Sequence, residues 1–258
     1  MLNLQKVVCI IPVRLSSTRF PEKILSTLLK KPLLKWVWEA ATRVSFFDKI
    51  IFAVDSEITA KLTTSFSANH IMTSQKCLSG TDRLIEIMKT NEIQSDIWVN
   101  WQGDEPFITE NMINTLLQNC GNKNTDDVWT LKKKIEYPEE LISPHVVKIV
   151  SGRQNQVLYF SRNQIPFYCS NTPKNKRKYY KHIGIYAYTT KALQKISNIS
   201  SSPLEQAEKL EQLRWLENGL SIKAHETSEN TLGIDVPEDI KRAEKWIQEK
   251  DAKTEKFF

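Results

Sequence analysis

The first 110 residues alternate between short apolar runs and longer segments with helical periodicity. Residues 7–12, 50–54 and 96–101 are apolar runs of strand length, and each is followed by a polar break and then a helical segment. Repeated strand–helix units of this kind form a parallel sheet that binds ligands at the carboxyl ends of its strands. The sequence therefore predicts an α/β fold, and the polar residues that follow each strand are candidate site residues.

The pattern changes after about residue 127. Several short apolar segments between 127 and 190 are joined by short turns, which predicts antiparallel strands. A helix is expected from Pro203 to about Leu216, with Gly219 as its stop, and Pro237 should begin the last helix. We expect a single domain over residues 1–250, with an antiparallel subregion at about 127–190 and a frayed tail at 251–258.

Bulk properties argue against several classes of protein. No stretch of about 18 apolar residues exists, so we expect no membrane span, and the first residues lack the basic and apolar regions of a signal peptide. Cys9, Cys77, Cys120 and Cys169 are scattered without a CxxC pair, which indicates neither a zinc site nor a disulfide framework. A reducing, cytoplasmic location is the expectation.

The chain has a formal net charge of +6. A basic balance suits phosphate-rich ligands and would equally suit nucleic acid. The densest basic run, at residues 174–178, lies beside loop-forming residues, and a solvated loop is its simpler interpretation. Because no zinc finger or aromatic RNA-binding motif accompanies this run, we expect no nucleic-acid partner.

A cationic loop follows the first predicted strand. It contains Arg14, Arg19 and Lys23 together with three hydroxyl side chains at residues 16–18. Such a loop at the end of a buried strand favours a polyanion, most simply a triphosphate. A solvated basic loop is the alternative interpretation.

Two aspartates far apart in the chain are candidate metal ligands. Asp104 follows the strand at 96–101, and Asp235 lies in a loop before the last helix. Carboxylates that face phosphates need a divalent cation between them, and Mg²⁺ takes one or two carboxylates together with phosphate oxygens and waters. A turn or helix-cap role is an equally good interpretation of either residue alone.

The segment Ser79-Gly-Thr-Asp-Arg83 has the pattern of a helix N-terminus. Such an end offers free N–H groups to an anion, and Gly80 permits close approach of a ligand to the backbone. An ordinary N-cap has the same pattern. The chain contains neither GxxxxGK[ST] nor GxGxxG, which argues against a P-loop ATPase and a nicotinamide dehydrogenase.

Four further residues are candidates for binding a polar ligand. Glu211 lies among apolar residues of the predicted helix 203–216, on one arc with Leu204, Ala207 and Trp215, so it needs a partner, either ligand hydroxyls or a neighbouring arginine. His182 and Tyr186 share one face of a predicted strand. Arg162 follows another strand and could bind a carboxylate through two hydrogen bonds.

Together these segments resemble the CMP-KDO synthetases, also called 3-deoxy-manno-octulosonate cytidylyltransferases, from about Val7 to Trp246. Their order and spacing carry the resemblance. The matching segments are Pro12-Val-Arg14, Ser17-Thr-Arg19, Pro21-Glu-Lys23, Ser79-Gly-Thr-Asp-Arg83, Gln102-Gly-Asp-Glu-Pro106, Tyr159-Phe-Ser-Arg162, Ile165-Pro166, His182-Ile-Gly-Ile-Tyr186, Ser202-Pro-Leu-Glu205, Leu210-Glu-Gln-Leu-Arg214 and Gly233-Ile-Asp235.

The resemblance implies a three-layer, nucleotidyltransferase-like α/β fold with a mostly parallel mixed sheet. It implies Mg²⁺-dependent transfer of CMP from CTP to the sugar acid KDO, a component of Gram-negative lipopolysaccharide, with release of pyrophosphate. It also implies a homodimer paired through the middle strands. The implied roles are triphosphate binding for Arg14, Arg19 and Lys23, cytidine and phosphate binding for Ser79, Gly80 and Arg83, metal binding for Asp104 and Asp235, and sugar-acid binding for Gln102, Arg162, His182, Tyr186, Glu211 and Gln212.

One residue departs from the family pattern. Glu22 precedes Lys23 where the family usually has Gly. A backbone angle that only Gly reaches easily would be strained at Glu22, and the charge of Glu22 would lie near phosphates. The departure therefore bears on the loop geometry and the affinity for CTP, not on the class of reaction. The alternatives left open are a cytidylyltransferase for another sugar acid such as sialic acid, a nucleotide-sugar-dependent glycosyltransferase, and a basic nucleic-acid-binding module.

Overall fold

The computed structural model describes residues 5–15, 20, 22–120, 127–169 and 171–254. The chain divides into two compact units. The N-terminal unit comprises residues 7–93, 100–110 and 231–258, and the middle unit comprises residues 1–6, 94–99 and 111–230.

The described residues form strands and helices that alternate through most of the chain. The strands are β1 (Val7–Pro12), β2 (Thr27–Leu28), β3 (Lys31–Pro32), β4 (Lys49–Val54), β5 (His70–Met72), β6 (Ile97–Asn100), β7 (Val128–Lys134), β8 (Lys148–Ser151), β9 (Val157–Ser161), β10 (Tyr180–Thr189) and β11 (Ile222–Glu226). The helices are α1 (Leu33–Thr42), α2 (Glu57–Thr64), α3 (Gly80–Thr90), α4 (Glu110–Leu116), α5 (Pro138–Ile142), α6 (Thr190–Ile196), α7 (Pro203–Glu208), α8 (Gln212–Glu217) and α9 (Pro237–Thr254), with 3₁₀ turns at Lys23–Leu25 and Lys174–Lys176.

The N-terminal unit is built on parallel strands. β1 pairs with β4 and β4 pairs with β5, both in parallel, so that Ile10 lies opposite Ile51 and Phe52 opposite His70. The continuous apolar run of β1 is buried along nearly its whole length, as expected for a parallel strand covered on both faces. The predicted strand–helix repeats are therefore confirmed here.

An apolar cluster in this unit supports the segment before α9. Ile234 is fully buried and packs with Phe107, whose ring meets that of Trp246 edge to face at 4.4 Å between centroids. Helix α9 contributes Ala243 and Ile247 to the same cluster. Asp235, next to Ile234, is thereby attached to a packed core rather than to a free loop.

The middle unit contains the predicted antiparallel strands. β7 lies between β10, which is antiparallel to it, and β11, which is parallel. β10 also pairs with β8, β8 pairs with β9 antiparallel, and β6 follows β10 in the strand order. The register of β10 against β7 shifts between Ile183 and Tyr186. Parallel strands with helices and this antiparallel set confirm the α/β class.

The predicted helix from Pro203 to Leu216 is wrong. The segment forms two short helices, α7 and α8, because Lys209 takes a left-handed backbone conformation with φ of 53°. The change of direction ends the 100° periodicity, so Leu204 is 38% exposed while Trp215 is buried. Glu211 immediately precedes α8 rather than lying on a continuous apolar arc.

Other elements were not predicted. These are the hairpin of β2 and β3 and the short helices α5 and α6; α6 is capped by the Thr189 side chain, which accepts the N–H of Ala192. Helix α9 continues to Thr254, past the expected start of a frayed tail, and residues 255–258 lie outside the described part of the chain. Within the described ranges, every helix is too short or too polar to traverse a bilayer.

Candidate functional site

A tight turn after β6 presents Asp104 and Glu105. The turn is closed by the N–H of Glu105, which donates to the carbonyl of Gln102 at 3.1 Å. A Cβ on Gly103 would lie 3.1 Å from the carbonyl oxygen of Pro12. Because that oxygen belongs to the backbone, a side chain at position 103 would require the turn and the end of β1 to move apart by a few tenths of an ångström.

The segment before α9 is held against this turn. The N–H of Ile234 donates to the carbonyl of Asp104 at 2.9 Å, and the Thr231 hydroxyl donates to the Glu105 carboxylate at 3.0 Å. A Cβ on Gly233 would lie 2.9 Å from a Glu105 oxygen. Two residues that are 131 positions apart in the sequence, Asp104 and Asp235, are thus brought to one place by backbone and side-chain bonds.

Helix α9 fixes the second aspartate independently. The N–H groups of Asp235 and Val236 donate to the Asp239 carboxylate at 2.9 and 3.0 Å. Asp239 lies in the first turn of α9, so its carboxylate occupies the position that the positive end of the helix dipole favours. These two bonds fix the backbone of Asp235 at the start of α9.

Lys23 joins the two aspartates. Its Nζ lies 2.5 Å from the Asp104 carboxylate and 3.3 Å from that of Asp235. The side chain of Lys23 is only 10% exposed, against 29% for Asp104 and 55% for Asp235. The ammonium is therefore enclosed, and it faces carboxylates rather than solvent. Glu22 has φ of 51°, so the left-handed backbone inferred from the usual glycine is confirmed at this position.

The electrostatics of this cluster favour added positive charge. The pKa of Glu105 is raised to about 8, chiefly by desolvation and also by the nearby Asp104 and Asp235, while Thr231 and Lys23 oppose the shift. Burial is the largest cause of this shift, and the pairing of Asp104 and Asp235 with the single Lys23 ammonium leaves the cluster with an excess of acidic groups.

The donor set fits Mg²⁺, which ordinarily takes one or two carboxylates from a protein together with phosphate oxygens and water. Among the residues that the structure describes, no group of three or more His, Cys, Asp or Glu side chains has metal-binding geometry. A metal ion held by Asp104 and Asp235 would complete its coordination with water or with phosphate oxygens.

The cationic loop is described only in part. Arg14 is exposed at its start, and the N–H of Leu15 donates to the Asp55 carboxylate at 3.0 Å. Arg19 lies outside the described residues, as do residues 16–18. The loop therefore leaves β1 from a point that Asp55 fixes.

Ser79 and Gly80 form the predicted start of α3. The Ser79 hydroxyl accepts the N–H of Asp82 at 3.1 Å, and the Asp82 carboxylate accepts the N–H of Ser79 at 3.0 Å, which is a capping box. A Cβ on Gly80 would lie 2.9 Å from the ring of Pro12 and 3.3 Å from Gln102. Gly80 and Gln102 are therefore neighbours, and the Gln102 amide donates to Asn100 at 2.9 Å.

Arg83 is buried in the protein rather than presented at a surface. Its guanidinium donates to the Asp55 carboxylate at 2.9 Å and to the Thr73 hydroxyl at 2.6 Å, and the side chain is 2% exposed. Because Asp55 also accepts the N–H of Leu15, Arg83 reaches the cationic loop through Asp55. We interpret Arg83 as a residue that positions the loop.

The middle unit brings His182 and Tyr186 together. Their rings lie 5.2 Å apart, and Phe160 packs edge to face on His182. The Thr130 hydroxyl lies 3.0 Å from Nε2 of His182. Burial lowers the pKa of His182 to about 3, so the imidazole is neutral at physiological pH, and burial also raises the pKa of Tyr186.

The remaining candidates of this unit have partners within the protein. Arg162 donates to the backbone carbonyls of Glu208 and Pro144 at 2.7 and 2.9 Å. Glu211 pairs with Arg214 at 2.5 Å, which is the arginine partner that the sequence left open. Gln212 is buried at the start of α8. Binding of a carboxylate by Arg162 would require these contacts to change.

Sequence reasoning missed two residues of the site, Glu105 and Asp55. Glu105 was visible beside Asp104, but its contact with Thr231 depends on a turn 126 residues away. Asp55 directly follows the predicted strand at residues 50–54, and no local sequence pattern indicates that it is the counter-ion of Arg83.

Comparison with known proteins gives consistent matches over nearly the whole chain. The profile of the cytidylyltransferase family matches residues 8–227. The 3-deoxy-manno-octulosonate cytidylyltransferase of Thermodesulfovibrio yellowstonii is 41% identical over 250 residues, covering 93% of this chain and 97% of that protein. The enzyme of the same name from Solibacter usitatus is 40% identical over 241 residues, covering 92% of this chain and 93% of that protein.

A solved structure agrees with the sequence matches. It is that of CMP:2-keto-3-deoxy-manno-octonic acid synthetase complexed with CTP, which is 36% identical and superposes with a TM-score of 0.87. The match covers 95% of this chain and 99% of that chain. The nucleotidyltransferase-like fold that the sequence predicts is thereby confirmed.

Proposed function

This chain belongs to the cytidylyltransferases and, among them, to the 3-deoxy-manno-octulosonate cytidylyltransferase family, and we propose that it transfers CMP from CTP to KDO with release of pyrophosphate. The observation that carries the proposal is the meeting of Lys23, Asp104 and Asp235 in one cluster. The product would supply activated KDO for lipopolysaccharide synthesis.

The N-terminal unit supplies the groups for the nucleotide. Asp104 and Asp235 would hold Mg²⁺, and Mg²⁺, when bound, would neutralise phosphate charge and favour deprotonation of the attacking hydroxyl. Arg14 and Lys23 would offset the charge that builds on the departing pyrophosphate, and Arg19 joins them in this proposal. The start of α3 at Ser79 and Gly80 would take the nucleotide through its backbone N–H groups.

The sugar hydroxyl would attack the α-phosphorus in line with the departing pyrophosphate. Positioning and charge neutralisation do most of the work in such transfers, so no dedicated side-chain base is required. Sugar-acid binding is proposed for Gln102 in the N-terminal unit and for a set in the middle unit: Arg162, His182, Tyr186, Glu211 and Gln212. The neutral His182 could accept or donate one hydrogen bond to a sugar hydroxyl without adding charge.

The proposal also covers the oligomeric state and the cellular location of the protein. We infer a homodimer, in keeping with the family resemblance and with exposed apolar side chains such as Leu158 and Phe167 in the middle unit. We also infer a cytoplasmic location, for which the free thiols of all four cysteines are the support.

The test is pyrophosphate release from CTP with either KDO or sialic acid, with and without Mg²⁺. We expect release with KDO and Mg²⁺ only. Release with sialic acid alone would make this chain a cytidylyltransferase for another sugar acid, and release without any sugar acid would overturn the proposed transfer.

A paired variant tests the role of Asp235. Asp235→Asn should lower turnover far more than it lowers CTP affinity, because the carboxylate acts through the metal. Asp48→Asn, which changes an exposed carboxylate of the same unit, should leave turnover unchanged. Near-normal turnover in Asp235→Asn would count against Asp235 as a metal ligand.

A further inference from the structure

Lys23 lies where the proposed function would place a metal ion. Its ammonium is within 2.5 and 3.3 Å of one oxygen from each proposed metal ligand, Asp104 and Asp235. Resting on that proposed function, we propose that the Lys23 ammonium is the resident cation of this pair in the metal-free enzyme, and that a divalent ion must displace it. Lys23 then has two successive partners, first the aspartates and later the phosphates.

Geometry makes the two occupants mutually exclusive. The oxygens of Asp104 and Asp235 that face Lys23 cannot be further apart than the sum of their distances to Nζ. A Mg²⁺ ion binds oxygens at about 2.0–2.1 Å, so it would sit in the space between these carboxylates that Nζ now fills. An ammonium and a divalent ion in the same small space repel each other, and both cannot be retained.

The surroundings explain why a cation is needed there in the absence of metal. Asp104 and Asp235 both face the Lys23 ammonium, and Glu105 lies beside Asp104 in the same turn. Without Lys23, Asp104 and Asp235 would repel each other across a partly enclosed site. The Lys23 ammonium therefore offsets part of this negative charge until a metal ion replaces it.

The exchange requires movement of the side chain alone. The backbone of Lys23 is held by Ser26, whose N–H and hydroxyl both donate to the Lys23 carbonyl. Four methylene groups separate that backbone from Nζ, and their rotation can carry the ammonium away from the aspartates. Once displaced, the ammonium becomes available to the triphosphate, so metal binding and phosphate binding by Lys23 are coupled.

The coupling makes an unusual prediction for metal binding without nucleotide. Removing a lysine that only binds phosphate should not change the metal affinity in the absence of CTP. Removing a lysine that supports the site should weaken metal binding, whereas removing an ammonium that competes with the metal should strengthen it. We expect Lys23→Met, which keeps the apolar stem and removes the charge, to bind Mn²⁺ at least tenfold more tightly than the wild type.

The experiment is titration of the nucleotide-free protein with Mn²⁺, followed by the electron paramagnetic resonance signal of free Mn²⁺. Lys31→Met is the matched control, because Lys31 lies in the same unit and pairs with a carboxylate, that of Glu39, at 2.7 Å. This substitution removes the same charge as Lys23→Met does. We expect less than a twofold change in that control. Lys23→Gln provides a second uncharged variant and should behave as Lys23→Met does.

Unchanged or weaker Mn²⁺ binding in both Lys23 variants would overturn the proposal, as would an equal gain in Lys31→Met. Adding Asp235→Asn to Lys23→Met should abolish the gain, and a gain that persists would overturn the placement of the cation between the two aspartates. Failure of the proposed function is seen separately, as absence of KDO-dependent pyrophosphate release from the wild type.

Discussion

The buried ion pair between Asp55 and Arg83 should be the most sensitive polar contact of the N-terminal unit. The side chains are 6% and 2% exposed, and the charged atoms are 2.9 Å apart. At an effective dielectric constant of about 20, unit charges at that distance attract by about 6 kcal/mol, which is an upper limit for what the pair can lose. We predict that Asp55→Ala lowers the free energy of unfolding by about 3–5 kcal/mol, since it leaves a buried guanidinium with neutral partners only.

Asp48→Ala is the matched control for this loss. Asp48 also accepts a backbone N–H of the β1 region, that of Val7 at 2.7 Å, but it is exposed and does not face a buried cation. Its removal should cost about 1 kcal/mol. Urea unfolding followed by tryptophan fluorescence and circular dichroism measures both variants.

A double variant separates the charge from the packing. Asp55→Leu with Arg83→Met removes both charges, so it should be less destabilised than Asp55→Ala. Equal losses in Asp55→Ala and Asp48→Ala would refute the reasoning. The same variants bear on function, because Asp55 holds Leu15 at the start of the cationic loop, and Asp55→Ala should raise the KM for CTP.

Three further predictions concern single positions. Gly80→Ala should cost about 1–3 kcal/mol of unfolding free energy and raise the KM for CTP, because the added Cβ would lie 2.9 Å from the rigid ring of Pro12. Gly184→Ala is the control, since nothing lies within 4 Å of the Cβ added there, and equal urea midpoints for the two variants would contradict the predicted clash. Glu22→Gly should lower the KM for CTP while changing the unfolding free energy by no more than about 1 kcal/mol. Glycine relieves the strain of the left-handed backbone, but it also raises the conformational entropy of the unfolded chain, and the two effects oppose each other. A higher KM in Glu22→Gly would contradict this prediction. For His182, the folded pKa of about 3 lies below the ordinary value of 6.5, so between pH 7 and pH 5 only the unfolded chain gains a proton at this residue. That difference should remove about 2 kcal/mol of stability, and His182→Gln should flatten this part of the pH profile; an unchanged slope would show that His182 is not the group responsible.

The place of Asp104 could be predicted from the strand pattern and that of Asp235 only from the family resemblance, whereas the position of Lys23 between them could not be predicted. Parallel strands end at a common edge of a sheet, which predicts that Asp104 lies near the cationic loop. Whether Lys23 binds a phosphate or the two carboxylates depends on which of these groups is present. Sequence patterns carry no information about that choice.

The break between α7 and α8 had no local signal either. Helices usually end at Gly or Asn when the backbone turns left-handed, and here the residue is Lys209. The apolar residues of 203–216 therefore keep helical spacing across a point at which the helix ends. By contrast, the left-handed backbone at Glu22 was foreseeable, because a glycine is usual at that place in the family and glycine tolerates positive φ.

The most direct test of the account is the position of one Mn²⁺ ion in crystals grown with CTP. Anomalous diffraction should place a manganese peak within coordination distance of both Asp104 and Asp235, with Nζ of Lys23 moved from between them to the phosphate oxygens. A peak bound by neither aspartate, or Lys23 still bridging both carboxylates beside bound CTP and metal, would contradict it.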